Sequence, residues 1–256
     1  LDSEDALDVS GRRAVRDGER LEVVVIRLPR ISNFTDLDAF GLEPDVDVLF
    51  TADPRDLACA DLVVLPGTRA TIADLEWLRS QGLDEAILAH ARSGRGLLGI
   101  CGGFQMLGGR VDDPDGAEGE PRCVEGLGLL DASTTFSSAK VLRRPTGSAL
   151  GASVTGYEIH HGRIEHGDDE EFLGGARRGN VFGTMWHGAF ESDPFRQAFL
   201  SEIAGARDDS GVSFAAARES RLELLGDLVE HHLDIDAVLE LAHSGTGDVP
   251  FIAPGA

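Results

Sequence analysis

The sequence is short of cations, of cysteine and of long apolar runs, and each shortage removes a class of function. Lys and Arg total 23 against 45 Asp and Glu, a formal net charge of −22. A surface of that sign repels phosphate backbones and anionic lipid, so neither nucleic acid nor a membrane surface is an expected partner. Nowhere do about eighteen apolar residues run together, and no transmembrane helix is expected. The three cysteines, Cys59, Cys101 and Cys123, stand far apart without C-x-x-C spacing. That pattern speaks against a disulfide scaffold or a zinc knuckle and for a reducing, cytoplasmic setting. No G-x-x-x-x-G-K-[ST] occurs, so these residues hold no P-loop phosphate site.

What is present suits one large domain, or one domain with a small appendage. The 256 residues are 42% hydrophobic and 27% charged. The opening stretch, residues 1–20, is polar and charged. It has neither the apolar core of a signal peptide nor the acid-poor character of a transit peptide. It reads as a linker from a preceding domain. Residues 21–243 read as the domain proper, C-terminal helices included, and residues 244–256, "SGTGDVPFIAPGA", as a flexible tail.

Four short apolar runs read as strands buried on both faces of a parallel sheet: "LEVVVIRLP" (21–29), "VDVLF" (46–50), "DLVVLP" (61–66) and "GLLGI" (96–100). Between them "TIADLEWLRSQG" (71–82), with Thr71 and Asp74 as a capping pair, and "LDEAILAHARSG" (83–94) read as helices. Alternating strand and helix predicts an α/β fold, an open, mostly parallel twisted sheet with ligands beyond its carboxyl ends. The acidic stretch 109–126 reads as an exposed loop. "GLGLL", "TTFSSAKVL", "ASVTGYEIHHGRI" and "NVFGTMWHGAF" read as antiparallel edges of the same sheet. "DPFRQAFLSEIA" (193–204) and residues 220–243 read as amphipathic helices.

Within "LLGICGGFQMLGG" (97–109) a strand ends at Ile100 and a helix begins just after Cys101. A nucleophile on such a junction sits in a strained conformation, and Gly99 and Gly103 give the backbone room to turn. The helix start aims free N–H groups at the sulfur, which favours thiolate and can hold an oxyanion. A buried cysteine in a glycine-rich turn fits the same letters, and both readings stand at this point. Pro66-Gly67-Thr68 follows another apolar strand and could supply a second backbone N–H opposite that of Gly102; an ordinary βα turn is the plainer reading. His187, in "FGTMWHGAFESDPF", is either a structural imidazole or the group that takes and returns the thiol proton. Together the three make the parts list for thioester chemistry.

At these residues the chain resembles the class I, triad-type glutamine amidotransferases, and within them the glutaminase domains of the cobyric acid synthase family. "VVVIRLPRISNFTDLDAF", "DLVVLPGTRATIADLEWLR", "GICGGFQMLGG", "GYEIHHGR" and "GTMWHGAFESDPFRQAFL" carry the resemblance, over most of residues 21 to 204. It implies a flavodoxin-like sheet with helices on both faces and antiparallel edge strands. It further implies Cys101 as nucleophile toward glutamine, His187 as general base and acid, Gly67 and Gly102 as the oxyanion N–H groups, and Gln105 as a contact to bound glutamine. It implies too an N-terminal ATP-dependent synthetase domain in the same chain, where a corrinoid acceptor, ATP and magnesium bind, with no cofactor or metal in these residues.

One departure stands out. Triad amidotransferases carry a Glu two residues after the histidine; here that residue is Ala189, and the nearest acids, Glu191 and Asp193, have the wrong offset. The cobyric acid synthase branch shares this feature, which leaves the orienter of His187 unassigned: an acid from another loop or a backbone carbonyl. His160 and His161 read as structural or hydrogen-bonding, Cys59 and Cys123 as bystanders, and Trp186 as core. Two alternatives stand beside the branch assignment. One is a stand-alone glutaminase subunit amidating a peptidoglycan precursor. The other is a silent α/β binding module, kept open by Ala189.

Overall fold

The computed structural model describes residues 20–207 and 210–245. The linker expected at 1–20 and the tail expected at 244–256 therefore lie almost wholly outside the described residues. The chain divides into two compact units, Leu1–Val212 and Ser213–Ala256.

In the first unit the expected apolar runs form β1 (Leu21–Ile26), β2 (Val46–Thr51), β3 (Leu62–Leu65) and β4 (Gly96–Ile100). Every residue of β3 and β4 is buried, as continuous Val/Leu/Ile runs in a parallel sheet require. Three helices follow in this half: α1 (Thr71–Ser80), α2 (Leu83–Arg92) and the short α3 (Gly102–Leu107). Further on come β5 (Arg110–Asp113), β6 (Arg122–Glu125), β7 (Ala132–Arg143), β8 (Thr146–Ala149), β9 (Ala152–Thr155) and β10 (Glu158–His166). The unit ends with β11 (Glu170–Phe172), β12 (Gly175–Arg178), β13 (Val181–Thr184) and α4 (Asp193–Ala204).

The main sheet has the order β11-β12-β13-β4-β3-β1-β2. Strands β2, β1, β3, β4 and β13 are mutually parallel, and β12 and β11 add the antiparallel edge. The chain leaves β1 for β2 on one side and then crosses to β3 on the other, so a crevice opens at the carboxyl ends beside β1.

Several expectations need correction. "NVFGTMWHGAF" is no antiparallel edge: β13 lies inside the main sheet, parallel to β4, because Val181 to Thr184 are all buried. "TTFSSAKVL" and "YEIHHGRI" leave the main sheet and form, with β5 and β6, a separate sheet of order β10-β7-β5-β6, while "ASVT" pairs with β8 in a two-stranded sheet of its own. The acidic stretch 109–126 is therefore a strand pair with a loop between, and "GLGLL" is not a strand. Thr71 and Asp74 do not cap α1. The N-cap is Ala70, and the Glu118 carboxylate accepts hydrogen bonds from the N–H groups of Thr71 and Ile72 at 3.0 and 3.1 Å. Asp74 instead accepts from the backbone N–H and guanidinium of Arg30 and from the Thr68 hydroxyl.

Phe40, Phe182, Phe190, Phe195 and Phe199 form an aromatic cluster with ring centroids 4.7–6.3 Å apart, which ties the β1–β2 connection to β13 and α4. Beside it Arg196 is wholly buried, its Nε 2.6 Å from the buried Glu43 carboxylate. Its other nitrogens reach Phe190 O, Asp193 and Val212 O. Arg196→Met is expected to cost about 3–5 kcal/mol in urea unfolding, because it strands a buried carboxylate. Burial raises the Glu43 pKa, but hydrogen bonds from Arg196, Ser210 and Gln197 outweigh it and hold the group below its ordinary value of 4.5. A group depressed in the folded state stabilises above its unfolded pKa. That share is lost as pH falls below 4.5 and through the folded value.

The second unit contains α5 (Phe214–His232) and α6 (Ile235–Ser244). The stretch read as one amphipathic run, 220–243, breaks at Leu233, whose backbone is extended, and restarts where Asp234 caps α6 through Ala237 N–H at 3.0 Å. No described helix is long and apolar enough to cross a membrane.

Candidate active site

The ends of β1, β3, β4 and β13 converge on one pocket. Cys101 follows β4 directly. Its N–H donates to Thr184 O at 2.8 Å and its carbonyl accepts from Gln105 N–H at 2.9 Å. Between those two anchors the residue adopts φ 49°, ψ −108°, which is costly for a side chain with a Cβ. The ladder before it and the helix after it hold the strain in place. Gly103 lets α3 start here: a Cβ on it would sit 1.9 Å from Leu65 O.

The turn after β3 meets this elbow. A Cβ on Gly102 would lie 2.6 Å from Thr68 Cγ2, and one on Gly67 3.2 Å from His187 Cε1. Neither Gly67 nor Gly102 gives its N–H to a backbone carbonyl outside the regular elements, and Gly102 is the first residue of its helix. The Gly102 N–H thus follows Cys101 directly in the chain, and Gly67 lies against the His187 ring.

His187 stands just past β13, buried to 1% exposure. Reciprocal backbone hydrogen bonds with Tyr157, at 2.8 and 3.0 Å, fix its main chain. The Tyr157 ring stacks on the imidazole at 5.2 Å between centroids. Nδ1 lies 2.7 Å from Asp36 Oδ2, which leaves Nε2 as the nitrogen available to the Cys101 thiol in the same pocket. Burial works against the imidazolium, but the charge and hydrogen bond of Asp36, then Cys101, lift the His187 pKa well above its ordinary value.

The pocket, about 440 Å³, is lined by Cys101, His187 and Gln105, with Thr68, Arg69 and Glu118 among its rim residues. Gln105 is buried; its Oε1 accepts from the Thr71 hydroxyl at 3.0 Å, while its Nε2 has no hydrogen-bond partner. Burial raises the Glu118 pKa against the hydrogen bonds it receives at the α1 terminus.

All five residues singled out in the sequence, Cys101, His187, Gly67, Gly102 and Gln105, therefore meet in one place. His160 and His161 also line the pocket, His160 with Nδ1 2.7 Å from Gly162 O. Cys59 and Cys123 are exposed and in no disulfide, and Trp186 is buried. Among the described residues no group of three or more His, Cys, Asp or Glu is placed to hold a metal ion. The sequence reading missed Asp36, Tyr157, Thr71 and Glu118. The one available signal for Asp36 was the pair of acids in "FTDLDAF", in the connection that follows an apolar strand.

Comparison with known proteins agrees with this geometry. The model of the CobB/CobQ-like glutamine amidotransferase domain matches residues 22–195. The chain belongs to that family. Proteins named cobyric acid synthase from Mycobacterium ulcerans and Mycolicibacterium gilvum are 63% and 64% identical to it over 258 residues, 100% of this chain and 52% of theirs. The Mycobacterium tuberculosis protein of the same name is 64% identical over 261 residues with the same coverage. The amidotransferase chain thus spans about half the length of these curated relatives. Two solved structures share the fold. One is titled a glutamine amidotransferase (TM-score 0.54, 22% identity, 72% of this chain and 99% of that one). The other is PurLQS from Thermotoga maritima (TM-score 0.51, 17% identity, with the same coverage).

Proposed function

We propose that the chain is the glutaminase portion of a cobyric acid synthase. One observation carries the reading: a cysteine held in a strained elbow shares a pocket with a buried imidazole whose other nitrogen is held by a carboxylate. The side-chain carboxamide of glutamine enters that pocket. Sulfur attacks the carboxamide carbon as His187 takes the thiol proton, and the resulting oxyanion is received by the N–H groups of Gly67 and Gly102. Collapse expels ammonia, to which His187 returns the proton. Water then attacks the γ-glutamyl thioester with His187 again as base, and glutamate leaves with Cys101 restored. The unpartnered Nε2 of Gln105 and the Arg69 guanidinium in the pocket lining suit the polar groups of an amino acid.

The ammonia, on this reading, amidates corrinoid side-chain carboxylates in cobalamin biosynthesis. That step belongs to an ATP-dependent synthetase domain of the same polypeptide, in a reducing, cytoplasmic setting. The support is the shared name of relatives 63–64% identical over this whole chain, together with their greater length. ATP and magnesium are assigned to that other domain, because the present residues lack a P-loop.

Glutamine labelled with 15N in its amide tests both levels. With the complete protein, ATP, magnesium and a corrinoid acid, label is expected in the corrinoid amides and as glutamate-coupled ammonia. Ammonia release without corrinoid labelling overturns the acceptor assignment. Absence of ammonia release overturns the glutaminase itself.

A further inference from the structure

Ala189 removes the acid from the place where triad enzymes keep it, yet the imidazole is not left without one. Resting on the glutaminase reading above, we propose that Asp36 is the positioning acid of His187, supplied by the connection after β1 and not by the segment that carries the histidine. Asp36 lies 151 residues before its partner and is buried to 5% exposure. Its two oxygens are divided: Oδ2 faces His187 Nδ1 at 2.7 Å, and Oδ1 accepts the N–H of Gly188 at 2.8 Å. The second bond matters because it fixes the carboxylate to the backbone next to the imidazole. The acid and the ring therefore move as one body.

The strap that carries Asp36 is held on three sides. Ser32 N–H donates to Gly67 O at 2.9 Å, tying it to the turn that offers an oxyanion donor. Asn33, in the left-handed region at φ 52°, donates through Nδ2 to the Tyr157 hydroxyl at 2.6 Å, and Tyr157 covers one face of the imidazole. Leu37 and Phe40 are buried, Phe40 in the aromatic cluster around Phe190. Alternatives are occupied elsewhere or misplaced. Asp193 pairs with Arg196, and Ala189 is a methyl group packed in the core. The acid that orients the base and the turn beside the sulfur thus hang from one segment, Arg30 to Leu37.

The division of oxygens makes a specific substitution informative. In Asp36→Asn the side-chain carbonyl must go to Gly188 N–H, since an amide NH2 there would set donor against donor. The amide NH2 then faces Nδ1 and forces that nitrogen to be an acceptor. The proton of neutral imidazole is driven to Nε2, where it blocks transfer from sulfur. An equivalent tautomer error in a serine protease triad costs about 10⁴ in turnover.

The experiment compares Asp36→Asn, Cys101→Ala and unaltered protein in the full chain, with glutaminase kinetics across pH and thermal unfolding. Asp36→Asn is expected to lower kcat about 10³-fold or more, leave KM for glutamine within about twofold, and move the pH profile, with its unfolding midpoint unchanged. A purely structural role would move the midpoint and leave the profile in place. If Cys101→Ala is inactive while Asp36→Asn keeps kcat within about threefold, the inference falls and the glutaminase reading survives. If Cys101→Ala is itself active, it is the glutaminase reading that falls. Should Asp36→Asn not fold, 15N spectra of the unaltered protein decide. His187 is expected to carry its proton on Nδ1 in a far-downfield hydrogen bond, and a neutral ring protonated at Nε2 overturns the proposal.

Discussion

Replacing Cys101 by serine is expected to reduce glutaminase turnover by about 10⁴-fold or more while leaving the unfolding midpoint within about 0.5 kcal/mol of the original. The two halves of that statement have separate causes. Serine keeps a Cβ and a similar volume, so the φ 49° conformation, the hydrogen bond to Thr184 O and the start of α3 are all retained. What changes is the attacking atom. A hydroxyl is far harder to ionise than a thiol, and the environment around it raises the affinity of His187 for a proton without supplying the remaining difference. Cys101→Gly separates strain from chemistry. It is equally inactive but relieves a backbone conformation that costs about 1–3 kcal/mol, so it is expected to be as stable as the parent or more so. Glutamate release, labelling by a glutamine-like electrophile such as diazo-oxo-norleucine, and urea titration read out the three quantities together. Turnover in the serine variant above about one hundredth of the parent value would remove the thioester from the mechanism.

Which parts of this machinery could be read from the chain depends on how local their causes are. Burial on both faces forces continuous apolar runs, so β1, β3 and β4 are written in the letters to within a few residues. The elbow is legible for the same reason: glycines cluster around Cys101 because neighbouring backbone comes too close for anything larger. Two misreadings and one omission share another cause. Thr71 and Asp74 satisfy the local grammar of a cap, yet Glu118, brought in by the β5–β6 loop, takes the helix terminus. "NVFGTMWHGAF" lies among antiparallel pieces in sequence and between parallel and antiparallel neighbours in space, where only sheet order decides its role. Asp36 reaches His187 only because β1 and β13 end at the same crevice, with β3 and β4 between them. Arg196 is a like case: on a helix that reads as amphipathic, its charge turns inward because Glu43 waits there. In each case the deciding partner lies far along the chain.

Gly103→Ala sets two magnitudes against each other, and the outcome reports on how the elbow is built. Gly103 is the second residue of α3, and in a helix alanine is favoured over glycine by about 1 kcal/mol. Helix propensity alone predicts a more stable protein. The steric term points the other way: the new Cβ would lie 1.9 Å from Leu65 O, 2.6 Å from Leu65 C and 2.9 Å from Leu65 Cβ. These atoms are not the free end of a side chain. They belong to β3, which is laddered to β1 on one side and β4 on the other, so the contact is relieved only by breaking sheet hydrogen bonds or lifting α3. Overpacking of this kind costs about 1–3 kcal/mol where side chains can yield. Against fixed backbone it exceeds that range, and a net loss of about 4 kcal/mol or more is expected. Gly109→Ala serves as the control, since its nearest neighbour would be Ala132 O at 3.9 Å, and its unfolding free energy should stay within about 0.5 kcal/mol. Protein that does fold carries Cys101 displaced from the Gly67 turn, so kcat falls further than the folded fraction does. A Gly103→Ala chain with the parental midpoint and turnover would show that α3 does not rest on β3 as described, and with it the position of the sulfur would be wrong.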